Sequence, residues 1–311
     1  MNAGIKVFAP ASVGNVGVGF DCLGFALEKP GDEVIARFMD KPGLTISQIT
    51  GTRGKKLPYD VLKNTAGFAA YQFMQFLNEP KLGIELEIHK KMPLGSGLGS
   101  SAASAVAGVM AVNELLKRPV EKRELLKFAL DGEELASTGR NADNVAPSLL
   151  GGMILIRDNE TLDLHRLPHF NYLYATVIYP KIEILTKDAR NILSDTVPLS
   201  KMIQQNANLA GLIVAMYRGD EELLGRSLND VVIEPQRSKL IPHFEKVKNA
   251  ALKMGALGGS ISGAGPSIFM FSKNSLIAED VGEAMKKIYH DANIDYEVFI
   301  SPINKEGAIK C

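Results

Sequence analysis

Pro93, Leu94, Gly95, Ser96, Gly97, Leu98, Gly99, Ser100, Ser101, Ala102, Ala103 and Ser104 follow one another and crowd glycine and hydroxyl groups into one short stretch. Glycines at alternate positions let a backbone turn its N–H groups inward and approach a ligand closely. If a helix begins where the loop ends, its first N–H groups and its dipole, roughly half a positive charge, favour an anion there. The chemistry this suits is the binding of a polyphosphate. Ser100 and Ser101 could cap the helix or offer hydroxyls to a phosphate or its Mg2+. The stretch is not a Walker A loop, because no Gly-Lys-Ser/Thr follows the glycines. Gly97, Gly99 and Ala102 meet a loose dinucleotide fingerprint. However, a helical pattern over Val120–Ala136 follows where a second strand ending in an acidic ribose ligand belongs. A loop that only turned the chain would not need such a density of glycine and serine.

A second glycine-rich segment, Pro10–Gly24, follows a first predicted strand and brackets Asn15 and Asp21 with Gly14, Gly17 and Gly19. It could present an amide and a carboxylate to a ligand, or use them as a turn residue and a helix cap. Cys22 reads as a small packed residue, since no histidine lies near it in sequence to activate a thiolate. A third segment, Gly258–Ser267, precedes an apolar run at Ile268–Phe271 and could complete or support the central loop. His165 and His169 flank Pro168, which interrupts any helical turn between them, so they read as surface or packing histidines and not as a metal pair.

These segments need elements to hold them. Strands are predicted at Ile5–Ala9, Asp32–Phe38 and Leu44–Ile49, and a helix over Asp60–Leu77. Leu82, Ile84, Leu86 and Ile88 alternate with polar residues as a half-buried strand feeding the central loop, and Ser100–Leu116 reads as the helix after it. Gly139–Pro147 breaks the pattern before a strand at Gly151–Arg157, and a boundary falls in 158–170, which divides the chain into units of 1–160 and 161–311. The second unit is predicted to hold strands at Leu173–Tyr179, Gly258–Ser262, Ser267–Phe271 and Tyr296–Pro302. Its helices are predicted over Lys201–Tyr217, Glu221–Asn229, Leu240–Met254 and about Asn274–Ala292. Strands interrupted by helix pairs indicate an α+β fold.

With 46% hydrophobic and 23% charged residues and no long uncharged apolar run, the chain is expected to be globular and free of membrane spans. Lys+Arg and Asp+Glu balance at 35 each, so no overall field draws it to nucleic acid or an anionic membrane, and any phosphate site is local. Two cysteines, Cys22 and Cys311, are too few for a disulfide framework or a zinc cluster. The start lacks the basic and apolar regions of a signal peptide, and a reducing, cytoplasmic setting is expected.

The three segments, in this order along the chain, resemble the three signature motifs of the GHMP kinases. Within that superfamily the chain is most similar to the homoserine kinase branch over essentially its whole length. The branch markers are Asp143 to Pro147 followed by Gly151-Gly152-Met153, then Thr186 to Leu193, and Glu234 to Pro242. A galactokinase would carry an early Gly-Glu-His-x-Asp-Tyr segment, which is missing.

The resemblance implies a two-domain GHMP kinase fold, with an N-terminal ribosomal-S5-domain-2-like α/β domain and a C-terminal ferredoxin-like α/β sandwich. It implies ATP- and Mg2+-dependent phosphorylation of the L-homoserine hydroxyl, a step of threonine biosynthesis, by a homodimer. By the same resemblance Pro93–Ala103 is the ATP-phosphate loop, Glu133 and Ser101 hold the metal, and Asn64 lies on the adenine side. Asn15, Asp21, Asn144, Arg190 and Arg237 surround the amino acid, with Asp21, Asn144 and Arg190 closest to the chemistry. Homoserine kinases commonly have a histidine three residues before the equivalent of Asn144, whereas this chain has Asn141, which cannot exchange a proton near neutrality. In mevalonate-kinase-like relatives an Asp of the Gly139–Pro147 tract serves as base, whereas in the homoserine branch the nearest residue resembles an amide, so the resemblance implies transfer without a dedicated strong base, with Asp143 the runner-up base. Two other readings stand beside this one: another GHMP kinase, of mevalonate or shikimate type, or a catalytically silent GHMP-fold binding protein.

Overall fold

The computed structural model describes residues 4–137 and 139–311. The first half holds strands β1 (Ile5–Gly14), β2 (Leu23–Phe38) and β3 (Leu44–Thr50), helix α1 (Thr65–Phe76) and strand β4 (Ile84–His89). Helices α2 (Ser100–Leu115), α3 (Leu126–Glu134) and α4 (Ala142–Leu150) follow, then strands β5 (Met153–Asp158) and β6 (Asp163–Leu167). The second half holds β7 (Tyr174–Pro180), α5 (Thr186–Asn191), α6 (Leu199–Arg218), α7 (Glu221–Ser227), α8 (Glu234–Arg237), α9 (Phe244–Lys253), β8 (Gly258–Ile261), β9 (Ile268–Ser272), α10 (Ser275–Asp291), β10 (Tyr296–Pro302) and β11 (Ile309–Lys310). A seven-stranded sheet runs β11-β1-β2-β4-β3, with β5 on β2 and β6 on β5, and a four-stranded antiparallel sheet runs β10-β7-β9-β8. The architecture is α+β. Strand β6 and the final strand β11 both belong to the first sheet, so the chain returns to its start. Among the described residues no helix is long and apolar enough to cross a membrane.

Small residues let the first half close tightly. Helix α2 is buried at every position from Ala102 to Asn113, enclosed by α1, α3, α4 and the first two strands. A Cβ on Gly108 would lie 2.5 Å from the Ala66 carbonyl of α1, a distance that only glycine tolerates. The two sheets share one core. Phe25 of β2 packs against Phe269 and Phe271 of β9 at ring-centroid distances of 5.7 and 5.0 Å, each such pair worth about 0.5–1.5 kcal/mol beyond its burial. This aromatic joint fixes the cleft between the halves.

Four local features depart from the sequence reading. β1 continues through Pro10 to Gly14, with a register shift between Pro10 and Ser12 at which the proline is accommodated. The helix expected over Val120–Ala136 is a 3-10 turn at Lys122–Leu125 followed by α3. The expected break at Gly139–Pro147 is mostly helix. Pro147 sits inside α4, and the Asp143 carbonyl that would have received its N–H instead lies against Gly24 of β2. Finally, α5 and α8 are too short to leave a helical period, and they carry Arg190 and Arg237.

Candidate active site

Strand β4 delivers the chain into the central loop, and α2 leaves it. Gly95, Gly97 and Gly99 have φ of +72°, +82° and +66°, the left-handed region that side chains disfavour. A Cβ on Gly97 would lie 2.5 Å from the Ser262 carbonyl, so that position is closed by packing as well as by backbone. Gly99 caps α2 without a side chain. The first N–H groups of the helix, at Ser100, Ser101 and Ala102, therefore have no intrahelical acceptor and form an anion site at the cleft. The third glycine segment braces this loop. Ser262 Oγ donates to the Gly97 carbonyl (2.6 Å), the Ser267 N–H to Ser96 O (3.2 Å) and the Gly263 N–H to Gly14 O (3.1 Å).

Beneath the loop lies a buried ion pair that the sequence reading missed. Lys90, immediately before the loop, places its ammonium against the Asp32 carboxylate of β2, with both side chains sealed from solvent. Lys90 Nζ also donates to the Ser100 carbonyl (2.7 Å) and Ser104 Oγ (2.6 Å). Asp32 accepts from the Lys91 N–H (2.8 Å), the Met92 N–H (3.3 Å), Ser100 Oγ (3.3 Å) and Ser104 Oγ (3.2 Å). Every charge is met, and the network ties the loop's entry to the first turn of α2.

On α3, Glu133 faces the same helix end. Ser101 Oγ donates to its Oε1 at 2.9 Å, whereas Oε2 is sealed from solvent and has no partner. Burial pushes this carboxyl up to about 7, against the opposing pull of Ser101 and of Lys90. Asp143, at the start of α4, is also pushed up to about 7 by burial, with Asp21 adding to the push and the Asn15 N–H, 3.1 Å from Oδ2, opposing it.

The far end of the cleft is a ring of charge and amide around Phe20. Asn15 and Asp21 have φ of +71° and +57°, a region these two residue types enter more readily than most. Asn15 Oδ1 accepts from the Asp21 N–H (2.9 Å), and its Nδ2 donates to the Gly263 carbonyl (2.7 Å). Arg190 reaches across from α5 to Asp21 as a two-pronged pair at 2.7 and 3.2 Å. Arg237 is 4% exposed, donating from Nε to Ala189 O (2.8 Å) and from Nη1 to Gly263 O (3.2 Å). Both guanidinium groups lie over the Phe20 ring, at 5.1 and 4.8 Å from its centroid. Burial, then the nearby Arg190, lowers Arg237 to about 10, so it stays charged at neutral pH. Neither arginine pairs with an acidic neighbour in sequence, Asp188 or Glu234.

A cleft of about 460 Å³ joins these parts and is lined by Asn15, Asp21, Asn64, Leu94, Gly95, Ser96, Gly97, Gly99, Ser100, Ser101, Glu133, Asn144, Arg190 and Arg237. Asn144 accepts from Ser12 Oγ at 3.1 Å. Leu98, Ala102 and Ala103 point into the core and can offer the cleft only backbone, and Pro93 gives its carbonyl to Ser96 Oγ (2.8 Å). Asn64 caps α1, accepting from Ala66 and Gly67 and donating to Pro58 O (2.9 Å), so its oxygen and one of its two amide N–H groups are taken while it lines the wall. Asn141 precedes α4 and also lines the cleft. Burial beside Asp143 and Asp21 raises the Cys22 thiol to about 11, which suits packing and not attack. His165 is exposed and paired with Asp163 at 2.9 Å. Phe20 and Asp32 left no signal in sequence, because their partners lie far along the chain, and Ser104, last in the loop motif, gave no hint that it meets Lys90 and Asp32. Lys90 could have been found as the charge entering the loop.

The GHMP kinases N terminal domain family matches residues 63–152, and the GHMP kinases C terminal family matches residues 212–291. A homoserine kinase of Chlorobium phaeobacteroides is 44% identical over 98% of each chain. The crystal structure of a homoserine kinase from Cytophaga hutchinsonii is 50% identical, covers 100% of this chain and 98% of its own, and superposes with a TM-score of 0.96. The chain belongs to the homoserine kinases of the GHMP family. It is therefore a kinase that uses ATP with Mg2+. An L. major mevalonate kinase, 16% identical over 96% of each chain with a TM-score of 0.74, shares the fold alone.

The donor set fits the Mg2+ that such a kinase uses. A carboxyl oxygen of Glu133 without a partner, held beside a serine hydroxyl and a helix N-terminus, is a hard oxygen ligand next to a place for phosphate oxygens. Among the described residues no group of three or more His, Cys, Asp or Glu could hold a metal by itself.

Proposed function

We propose that the protein transfers the γ-phosphoryl group of ATP to the side-chain hydroxyl of L-homoserine, giving O-phospho-L-homoserine. The observation that carries this is the Asp21–Arg190 pair beside Arg237 in the cleft of the glycine loop. A carboxylate and two guanidinium groups side by side complement an amino-acid zwitterion, with the ammonium toward Asp21 and the carboxylate toward the arginines. Mevalonate or shikimate would leave the Asp21 side unmatched.

In this reading the backbone of Pro93–Ala103 and the N-terminus of α2 hold the polyphosphate, and Asn64 fixes the Pro58 wall on the adenine side. Glu133 and Ser101 hold Mg2+, which neutralises phosphate charge when bound. Asn15 keeps Asp21 in its strained backbone, and Asn144 orients the hydroxyl. The hydroxyl oxygen attacks the γ-phosphorus, the bond to the β-bridging oxygen breaks, and the hydroxyl proton passes to the transferred phosphoryl group. A carboxyl near 7 keeps Asp143 as the second candidate to take that proton. ATP turnover against L-homoserine, L-threonine, L-serine, mevalonate, shikimate and galactose tests the reading. L-Homoserine should lead mevalonate by on the order of 10²-fold or more in kcat/KM, and comparable turnover of mevalonate would refute it.

A homodimer is proposed on the strength of helix α6. Leu199, Ile203, Val214 and Tyr217 repeat at helical spacing on its outer side and are 67%, 60%, 38% and 67% exposed. Ala207 and Ala210 lie between them, and no charge falls between Lys201 and Arg218. Such a face fits a second copy of itself running antiparallel. Light scattering at micromolar concentration should give a dimer mass, and Ile203→Asp should give a folded monomer; a monomeric wild type would rule the dimer out. Two free cysteines, Cys22 and Cys311, suit the reducing cytoplasm proposed as its setting.

A further inference from the structure

The loop between β3 and the 3-10 turn at Val61–Lys63 spans residues 51–60 and carries three cations, Arg53, Lys55 and Lys56. It is fixed at both ends. Gly51 lies against the Lys90 carbonyl, and Asn64 Nδ2 donates to the Pro58 carbonyl at 2.9 Å. Between these anchors the loop crosses to the second half of the molecule. Arg53 pairs with Glu297 of β10, and Lys55 Nζ lies 2.5 Å from Glu183 Oε1, just after β7. Lys55 therefore bridges the two halves, and it also lines the cleft. A Cβ built on Gly95 would lie 3.9 Å from its ammonium, which places that charge directly over the glycine loop.

Of the other cations lining the cleft, Lys63 pairs with Asp60 at 3.6 Å, Lys56 has no atom within 4 Å of a Cβ built on Gly95, and three are held at the site itself. Lys90 is enclosed by Asp32, Ser100 and Ser104, Arg190 is held by Asp21, and Arg237 is buried on two backbone carbonyls. The Lys55–Glu183 pair is different in kind, because its side chains are 48% and 63% exposed and the pair is screened by solvent. A polyphosphate in the glycine loop offers more negative charge than one exposed carboxylate. We propose that Lys55 binds the nucleotide's polyphosphate and that Glu183 is its competing partner in the free enzyme, holding it across the mouth of the cleft. Nucleotide entry then exchanges Glu183 for phosphate oxygens, while Arg53–Glu297 keeps the loop in place. The inference rests on the ATP-using kinase reading, and binding measurements separate the two.

The discriminating feature is sign. If Lys55 and Glu183 only strapped the halves together, losing either would weaken the site alike. If they compete, the two variants move in opposite directions. Calorimetric titration of the full-length protein with a non-hydrolysable ATP analogue should show Lys55→Ala weakening binding about ten-fold, with a shallower dependence on salt. Glu183→Gln should tighten binding about two- to three-fold, and the double variant should match Lys55→Ala. Trypsin should cut after Arg53, Lys55 or Lys56 in the free wild type more slowly once the analogue is bound. Equal weakening by both variants, an unchanged Lys55→Ala, or the same ten-fold loss in Lys56→Ala would each overturn the proposal. Failure of the wild type to bind the analogue at all would overturn the kinase reading beneath it.

Discussion

Glu133→Gln should lower kcat by roughly 10²–10³-fold at saturating ATP and L-homoserine, the range seen when one fixed electrostatic contact to the reacting charge is lost. The amide keeps the shape and can still accept from Ser101, but it cannot supply the anionic oxygen left without a partner in the free protein. Higher Mg2+ should be needed for half-maximal rate. An unchanged Mg2+ dependence would move the ligand role to another residue, with Glu134, 56% exposed and paired with Arg140, the nearest carboxylate in sequence. A second consequence runs the other way. The Glu133 carboxyl rises from 4.5 to about 7 on folding, so the folded state holds a proton that the unfolded chain has released. Stability of the nucleotide-free protein should therefore fall as pH rises from about 4.5 to 7 and level off above. Glu133 contributes on the order of 3 kcal/mol to that fall, and Asp143 adds to it in the same window. Glu133→Gln should flatten part of the slope and raise the Tm of the free protein at pH 8. A variant that loses activity and also loses stability at pH 8 would mean that Glu133 is a structural acid.

The glycine loop and its flanking elements were legible because their signals are local. Ile84, Leu86 and Ile88 alternate with charged or polar neighbours, and the small residues after Gly99 read as a closely packed helix, which the structure bears out. What escaped reading depends on distant parts of the chain. α4 forms through Pro147 only because Gly24 of another strand makes room for the Asp143 carbonyl. Asp32 and Lys90 each look like ordinary surface charges in sequence, and they become a buried pair only when β2 and β4 are neighbours. Arg190 and Arg237 sit on helices of 6 and 4 residues, which carry no usable period. Their proposed roles came from family resemblance, and the structure adds that both face one ring, Phe20.

Different burial gives the two arginines different expected behaviour on removal. Arg237→Leu should cut kcat/KM for L-homoserine by roughly ten- to hundred-fold, the cost of about 1.5–3 kcal/mol for a lost charge-assisted hydrogen bond, and leave the KM for ATP nearly unchanged. It should also destabilise the protein. The side chain is 4% exposed, and its loss removes the donor from the Ala189 carbonyl and one of two donors from the Gly263 carbonyl. Each carbonyl left buried without a partner costs about 1–3 kcal/mol. Gly263 O would keep the Asn15 amide, so most of the penalty falls at Ala189. Arg190→Leu should match the kinetic loss with a smaller thermal one, because Arg190 is 37% exposed and its partner Asp21, at 29%, can return to water. Arg237→Lys should not restore homoserine kinetics, since one ammonium cannot reproduce the guanidinium fork that meets two carbonyls and still faces the cleft. Arg190 and Arg237 would be excluded as the carboxylate clamp by wild-type homoserine kinetics in both single variants, and Asp21 alone would then have to account for amino-acid recognition.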